Sequence, residues 1–385
     1  MSSEMELLNE DDLRNSFNDF ASEVIDHRVE RNKKHSVKEI LFLTLIGLIC
    51  GCDGWRDIER FGKIKIDFLR TFLPFEHGTP SDDTLRLFYR SLDPKMTQKF
   101  FSEWAVSLSL LFEDKKHIAI DGKVSRRSYD GEKDPLHLVT AYLSEHSIVL
   151  AQESVDTKSN EVKAIPTLLD ALDLKNSIVT IDAMGCQKSI AEKIIEKSGD
   201  YIFSLKGNHG TLHSDVKLLF ESEDVLKLLK MKESHTVDGS EHGRLETRRA
   251  LCVGCPQILK EQHNWSGLKS FIAIESTREI KGKVSKETRY YISSLEPNAP
   301  LILKTIRAHW AIENSLHYIL DVSFKEDDSR IRKKNAPKNI AILRHMALNL
   351  MQKSKRKRDS IKQMRKAAGW DETFLRRILS QLLFI

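Results

Sequence analysis

Three acidic residues in this chain have the types and positions that metal-dependent phosphodiester chemistry would use. Asp121 and Asp182 each end a short β-branched run that is typical of a buried strand, and Glu313 lies inside a helical pattern over residues 300–324. A carboxylate at the end of a buried strand is costly unless its charge is compensated, and a divalent cation compensates it well. Oxygen ligands suit Mg²⁺ or Mn²⁺, and two such ions acidify a water or 3′-hydroxyl nucleophile and stabilise the leaving oxyanion. The pattern therefore predicts two Mg²⁺ or Mn²⁺ ions held by these three carboxylates.

The helical pattern around Glu313 carries a stripe of polar side chains. Its members stand four residues apart and so share one helix face: His309, Glu313, His317 and Asp321. The apolar positions predicted to face the core are Ile306, Trp310, Ile319 and Leu320. One interpretation is a solvated stripe, and a second is a zinc site on His309, Glu313 and His317, although the HExxH spacing is missing. A third is preferred because it accounts for all three carboxylates: Glu313 joins the two aspartates, and His309 and Asn314 hold substrate phosphate.

Composition limits the class of protein. The 385 residues, 40% of them hydrophobic, are enough for a full core and two or three structural units. The longest apolar run, 40–50, is too short to cross a bilayer and the acidic N-terminus is unlike a secretory signal, so we expect a cytoplasmic protein without membrane contact. Five cysteines, of which only Cys252 and Cys255 have zinc-like spacing, favour reduced thiols over structural zinc. The sequence has no glycine-rich phosphate loop, so we expect no nucleoside triphosphate as a partner.

The net charge of +5 is unevenly distributed. Between Lys353 and Lys366 eight Lys or Arg residues stand against the single acid Asp359. A second basic cluster comprises Arg330, Arg332, Lys333, Lys334 and Lys338. Such clusters are often only a solvated surface, but two of them near a phosphodiester site favour a polyanion partner. Arg356 and Arg358, in the first cluster, are the predicted phosphate contacts.

Elements that could position the acids begin near residue 116. The hydrophobic pattern predicts strands at 117–121, 137–143, 147–154, 177–182 and 201–205, and helices at 160–173 and 187–198. In chain order this is β-β-β-α-β-α-β, the order of a ribonuclease H-like α/β fold whose mixed sheet is flanked by helices. That fold sets its first and fourth strands side by side, so Asp121 and Asp182 are predicted to share one site.

Three further regions flank or interrupt this core. Residues 1–113 are predicted to be a helical domain in which Ser81 caps a helix, and it is either a DNA-binding module or a cap without that role. The next strong helical run after residue 205 starts only near Pro300, and the segment between includes strand-like alternation at 244–253, 271–275 and 288–293. A β-rich insertion over about 207–299 is therefore predicted inside a catalytic domain that spans 114–350. Residues 351–385 are predicted to be a basic C-terminal helical tail.

Several segments together resemble the DDE transposases of bacterial insertion sequences, in the subgroup that includes the H-repeat-associated proteins. The segments begin at Gly51 (GCDGWRDIE), Leu73 (LPFE), Ile120 (IDGK), Pro135 (PLHLV), Lys158 (KSNE), Thr180 (TIDAMGCQ), Leu205 (LKGN) and His309 (HWAIENSLH). They extend over nearly the whole chain, and their order and spacing make the combination very specific.

The resemblance implies a ribonuclease H-like catalytic domain that cleaves double-stranded DNA at element ends and joins the freed 3′-hydroxyl to target DNA. It places Asp121, Asp182 and Glu313 at the three family acid positions. It also implies that Lys206, Asn208 and the run 242–248, which includes Arg244, line the DNA path. The corresponding assembly is a homodimer that synapses two element ends. The resemblance also implies a bacterial protein that is associated with the nucleoid.

The sequence departs from the wider superfamily around the third acid. A Tyr, Arg, Glu, Lys signature is expected there, and the matching positions hold Ile306, His309, Glu313 and Leu320, so only the glutamate agrees. Arg127 and Asp82 stand where a glycine and a histidine are expected. Two alternatives stay open: a catalytically inactive, DNA-binding relic of a transposase, and a stand-alone nuclease of the same fold that hydrolyses strands without joining them.

Overall fold

The chain folds around one large mixed sheet. The computed structural model describes residues 24–26, 28, 33–110, 116–129, 131, 134–155, 161–239, 244–280 and 282–383. Within that part of the chain, nine strands form the sheet in the order β3-β2-β1-β4-β5-β9-β8-β7-β6. They are β1 (Lys116–Ser125), β2 (Leu136–Leu143), β3 (Ile148–Val155), β4 (Ser177–Ile181), β5 (Asp200–Leu205), β6 (Lys232–Gly239), β7 (Arg244–Gly254), β8 (Ser270–Ile280) and β9 (Lys283–Ser293).

Helices precede, cover and follow this sheet. They are α1 (Val37–Ile49), α2 (Trp55–Ile64), α3 (Ile66–Arg70), α4 (Asp82–Ser91), α5 (Pro94–Leu110), α6 (Glu161–Asp170), α7 (Lys188–Glu196), α8 (Gly210–Glu221), α9 (Glu223–Leu228), α10 (Gln257–His263), α11 (Ala299–His309), α12 (Tyr318–Val322), α13 (Ala336–Ser354), α14 (Ile361–Trp370) and α15 (Glu372–Leu379). A π-helical turn, Ile312–His317, lies between α11 and α12. None of these described helices combines the length and apolarity needed to cross a bilayer.

Strands β1 to β5 follow the predicted order. β1 and β2, and β2 and β3, are antiparallel, whereas β4 runs parallel to both β1 and β5. Helices α6 and α7 pack on one face against Ile118, Ile120 and Val179. The structure thus confirms the ribonuclease H-like mixed sheet flanked by helices. One boundary differs, because β2 pairs with β1 as far as Ser125 and so places Asp121 inside the strand rather than at its end.

The β-rich insertion extends the same sheet. β5 pairs antiparallel with β9, and β8, β7 and β6 follow as antiparallel neighbours. The predicted strands correspond to β7, β8 and β9. Strand β6 was not predicted, because its sequence Lys-Glu-Ser-His-Thr-Val-Asp-Gly is mostly polar.

The prediction that no strong helix lies between residue 205 and Pro300 is wrong. Helix α8 follows β5 after a short 3-10 turn, Gly207–His209, and buries Leu212, Val216 and Leu219 on one face. Its apolar stripe is narrow, its first residue is Gly210 and Gly207 lies three residues earlier, so the pattern did not indicate a helix there and the segment was assigned to the β-rich insertion.

Helices from both ends of the chain share one core. α1 is buried along nearly its whole length, and a capping box between Ser36 and Glu39 closes its N-terminus. α13 and α15 contribute Ile340 and Ile378 to the apolar cluster that contains α1, and this cluster covers the sheet face opposite α6 and α7. Ser81 caps α4, as predicted, by accepting the amide of Thr84. Positions 1–23 of the predicted N-terminal domain lie outside the described residues.

Candidate active site

The three predicted acids line one cavity. It has a volume of about 170 Å³ and lies where β1, β4 and the segment after α11 meet. Asp121, Asp182 and Glu313 all contribute to its walls, together with Lys206 and His309. The sheet register explains the position of the aspartates: Ile120 and Ile181 form the last parallel pair of β1 and β4, and each aspartate is the next residue on its strand.

Asp121 lies in an environment that disfavours its negative charge. Burial, opposed by a hydrogen bond from the Gly122 amide and reinforced by the charges of Asp182, Glu313 and Glu161, raises the pKa of its carboxyl to about 7. A carboxylate with raised pKa, surrounded by like charges, is typical of a site that a cation completes.

The carboxylate of Asp182 is oriented by the turn that follows β4. Its Oδ1 accepts the backbone amides of Met184 at 3.0 Å and Gly185 at 3.3 Å. The turn is braced in its own right, because Asn208 donates its Nδ2 to the carbonyl of Ala183 at 2.9 Å. Asn208, predicted to contact DNA, therefore has a structural contact that holds the Asp182 loop.

Glu313 stands on the π-helical turn, so the predicted continuous helix over 300–324 is interrupted there. Ile312 and Leu316 anchor the turn in the helical core, and Glu313 is exposed to the cavity. A π-helical turn carries an extra residue per turn and is frequent at functional sites. In this turn the side chain of Glu313 faces the cavity at the sheet, a direction that ideal α-helical periodicity does not predict.

Two of the four predicted core positions on this segment are fully buried. Ile306 and Leu320 are buried, whereas Ile319 is half-buried. The prediction for Trp310 is wrong: its side chain is exposed, and the guanidinium of Arg289 lies 5.2 Å from its ring centroid.

A hydrogen-bonded chain joins the two elements that carry Asp182 and Glu313. The Oγ1 of Thr180 lies 2.7 Å from Nε2 of His117 and 2.8 Å from Nδ1 of His309. Burial lowers the pKa of His309 to about 4, and the Asp182 charge only partly opposes this. His309 is therefore a neutral imidazole near pH 7, and a phosphate contact from it would be a neutral N–H donor rather than a cation.

The polar stripe continues towards β1 and away from solvent. Nδ1 of His317 lies 3.9 Å from Oδ2 of Asp121. Asp321 Oδ1 lies 2.7 Å from Nζ of the buried Lys123, which also reaches Oε2 of Glu326 at 3.0 Å. These contacts contradict the solvated-stripe interpretation, and sequence reasoning had not found the lysine that organises them.

The donor set fits a divalent cation that prefers oxygen ligands. Three carboxylates converge on one cavity, and the residue beside Asp121 is Gly122, whose missing side chain leaves a cradle for a further carboxylate. Among the described residues, no group of three or more His, Cys, Asp or Glu side chains is already close enough to hold a metal ion. Like charges repel, so carboxylates without a cation are expected to stand apart.

The alternative zinc positions have a different character. Cys252 is buried in β7 and Cys255 is half-buried after it, and both are free thiols. Burial raises the pKa of Cys252 to about 12 and that of Cys255 to about 11, which favours the protonated thiol over the thiolate that zinc requires.

A second cavity of about 480 Å³ adjoins the first along the insertion strands. The two share Arg289, Trp310 and Glu313, and the second also contains Asn314. Further arginines line it: Arg248, Arg278 and Arg307. Two of them share one buried acid, since Arg248 and Arg278 reach Oε1 of Glu246 at 2.7 and 3.1 Å.

The remaining predicted DNA contacts lie elsewhere. Arg244 begins β7, paired with Ile280, while 242 and 243 of the predicted run lie outside the described residues. Arg356 and Arg358 are exposed in the turn between α13 and α14.

Comparisons with known proteins match nearly the whole chain. The family model described as "Transposase DDE domain" matches residues 112–350, and one described as "DDE_Tnp_1-associated" matches residues 18–105. The "Putative transposase YncI" of Escherichia coli O157:H7 is 38% identical over 370 residues, 94% of each chain. The "H repeat-associated putative transposase YhhI" of Escherichia coli strain K12 is 38% identical over 364 residues, 92% of this chain and 95% of that protein. A solved piggyBac transposase synaptic complex with hairpin DNA covers 94% of this chain and 76% of its own at 12% identity, but its TM-score of 0.40 is too low for an inference.

The matched region contains both strands and the helical segment that carry the three acids. Relatives of nearly the same length match this chain from its helical N-terminal part to its C-terminal helices. The sequence matches establish the family of this chain, and the fold is compatible with it. The chain therefore belongs to the DDE transposases, among the H-repeat-associated proteins.

Proposed function

We propose that this transposase cuts DNA strands at the ends of its element and joins the freed 3′-hydroxyl to target DNA. The observation that carries the proposal is the cavity in which Asp121, Asp182 and Glu313, far apart in sequence, meet. The family supports the proposal, because the model described as "Transposase DDE domain" matches the region that contains all three acids.

The three carboxylates would hold Mg²⁺ or Mn²⁺, and two ions are proposed. When bound, such ions would lower the pKa of the attacking water or hydroxyl and stabilise the negative charge that develops on the leaving oxygen. The chain's own contribution is orientation. The Met184 and Gly185 amides fix Asp182, and the His117–Thr180–His309 chain keeps α11 in register with β4.

Double-stranded DNA is the proposed substrate. Lys206 lies on the wall of the carboxylate cavity, where an ammonium group would bind a non-bridging phosphate oxygen. His309, with Nδ1 accepting the Thr180 hydroxyl, would donate its Nε2–H, and Asn314 its amide, to the same backbone. The arginine-lined cavity beside them offers a path for the flanking strand, and Arg244, Arg356 and Arg358 are proposed as further phosphate contacts.

A homodimer is the proposed active assembly, because joining requires two element ends held together. We place the protein in the bacterial cytoplasm, associated with the nucleoid.

One cleavage experiment tests the proposal. Purified protein is incubated with Mg²⁺ or Mn²⁺ and an end-labelled duplex that carries the terminus of its own element. The Asp182→Asn variant runs alongside Asp170→Asn, a matched control whose carboxylate pairs with Lys193 at 2.6 Å on the surface of α6 and α7.

Metal-dependent cleavage by the wild type and by Asp170→Asn, and none by Asp182→Asn, is the expected result. Products in which the labelled 3′-end is joined to a second duplex identify a transposase, whereas cleavage without joining indicates a stand-alone nuclease. Binding without cleavage in either metal would mean an inactive, DNA-binding relic.

A further inference from the structure

Gly122 follows Asp121 inside β1, and its lack of a side chain makes room for a carboxylate. A Cβ built on Gly122 would lie 2.5 Å from Oε1 and 2.7 Å from Cδ of Glu161. Glycine inside a strand weakens it and commonly marks the close approach of another group. At this position the approaching group is the Glu161 side chain.

Glu161 is held in this place by its neighbours. Its Oε1 lies 3.3 Å from Nδ1 of His137, and only 13% of its side chain is exposed. His137 is paired with Val124 across β1 and β2, so its side chain shares a sheet face with the position of Gly122. Glu161 is also the first residue of α6, where the helix dipole stabilises a negative charge.

The edge of β1 is open towards β4 at this point. The last parallel pair is Ile120 with Ile181, so Asp121 and Gly122 lie beyond the paired region. Successive residues of a strand face opposite sides of the sheet. Asp121 faces the side of the π-helical turn, and Glu161 approaches from the side of α6. Carboxylates from both faces can converge at an edge where no strand separates them.

The charges of the two acids act on each other. Glu161, Asp182 and Glu313 all lie close enough for their charges to act on the carboxylate of Asp121. His137 offers Glu161 a partner, but it does not reduce the repulsion at Asp121. A divalent cation between the acids would do so.

We infer that Glu161 is a fourth carboxylate of the metal site, reaching a divalent cation held at Asp121 from the α6 face of the sheet. The inference rests on the proposed metal-dependent function of the same cavity. The alternative is structural: Glu161 pairs with His137 and fastens α6 to β2. A ligand changes the affinity for the cation when its charge is removed, whereas a purely structural pair changes only stability.

Mn²⁺ binding separates the two without DNA. Mn²⁺ is titrated into purified full-length protein, and the unbound ion is followed by its electron paramagnetic resonance signal. Glu161→Gln keeps the size and polarity of the side chain and removes its charge. Asp121→Asn is the positive control. Glu145→Gln is the matched control, because Glu145 also contacts β1, accepting the amide of His117 at 3.2 Å near the other end of the strand.

Glu161→Gln is expected to weaken Mn²⁺ binding roughly tenfold or more, or to remove one bound ion, and Glu145→Gln is expected to bind like the wild type. Wild-type binding by Glu161→Gln together with loss of binding by Asp121→Asn would overturn the inference and leave the proposed function standing. Absence of Mn²⁺ binding by the wild type would overturn the proposed function itself. If Glu161→Gln does not fold, Glu161→Asp keeps the charge and shortens the reach, and unchanged affinity in that variant would likewise refute the ligand role.

Discussion

The hydroxyl oxygen of Thr180 lies 2.8 Å from Nδ1 of His309, and this contact joins the strand that leads to Asp182 to the helix that leads to Glu313. His117 completes the chain at 2.7 Å from the same hydroxyl. A hydroxyl donates one hydrogen, so at most one of the two imidazoles accepts from it and the other donates to it. The relative position of two proposed metal ligands therefore depends on one threonine.

Replacing this threonine tests that dependence. Thr180→Val keeps the branched shape but leaves the two buried imidazoles without the hydroxyl, which should cost about 1–3 kcal/mol of unfolding free energy. Thr180→Ser is the matched control, since it keeps the hydroxyl and loses only a methyl group. Denaturant unfolding of the metal-free protein measures both. A valine variant as stable as the serine variant would show that the chain contributes nothing.

Asp121→Asn should stabilise the metal-free protein at alkaline pH. Burial and neighbouring carboxylates raise the pKa of Asp121 to about 7, from 3.8 for an unperturbed group. The folded state therefore retains the proton more strongly, and stability falls as pH rises from about 4 through 7. A neutral asparagine avoids this loss, with a gain of at most about 4 kcal/mol above pH 7.

The measurement is thermal or denaturant unfolding in chelator at pH 4 and pH 8. The two proteins should differ little at pH 4, and added Mg²⁺ should reduce the difference at pH 8 by stabilising the wild type alone. Equal stabilities at pH 8 without metal would contradict an unfavourable charge on Asp121.

Lys123, two residues after Asp121 on β1, should be essential for stability. Lys123 Nζ reaches Oε2 of the fully buried Glu326 at 3.0 Å, and the guanidinium of Arg344 is farther away at 3.8 Å. Lys123→Met would leave a buried carboxylate poorly compensated, at a cost of about 3–5 kcal/mol. Lys193→Met, which breaks the surface pair with Asp170, should cost at most about 1 kcal/mol.

A double variant isolates the pair. If the cost arises from the uncompensated acid, Glu326→Gln in the Lys123→Met background should restore part of the stability. Denaturant unfolding of the wild type, the two single variants and the double variant measures this effect. Additive losses would assign the effect to packing instead.

The sequence predicted those features that depend on local pattern. The β-branched runs that end at Asp121 and Asp182 located two strands, and the order of elements was sufficient to place those strands side by side. Three-dimensional packing determines the features that the local sequence pattern did not predict. In the π-helical turn at Glu313, Ile312 and Leu316 are buried in the helical core, and the helical periodicity of the sequence does not indicate this turn.

The contacts that sequence reasoning missed are those between residues far apart in the chain. Lys123 and Glu326 are separated by 203 residues, and each on its own is an ordinary charged residue. Asn208 was predicted to contact DNA because of its place in a recognised segment, and its contact with Ala183 is visible only in three dimensions. Gly122 did give a local signal, a glycine inside a β-branched run, but nothing in the sequence identified Glu161 as the group that fills the space.

Charge reversal of Arg356 and Arg358 should weaken DNA binding without regard to sequence. Both residues are exposed in the turn between α13 and α14, where they can reach a polyanion without rearrangement. Each lost phosphate contact should reduce the magnitude of the negative slope of log K against log salt by about 0.9. The double variant Arg356→Glu/Arg358→Glu should therefore bind with a slope that is shallower by about two units. Lys227→Glu/Lys230→Glu is the control, because these exposed lysines near α9 line neither cavity. Fluorescence anisotropy with a labelled duplex over a range of salt concentrations gives the slopes. An unchanged slope in the arginine variant would remove this turn from the DNA interface and leave the cavities along β9 and α11 as the path.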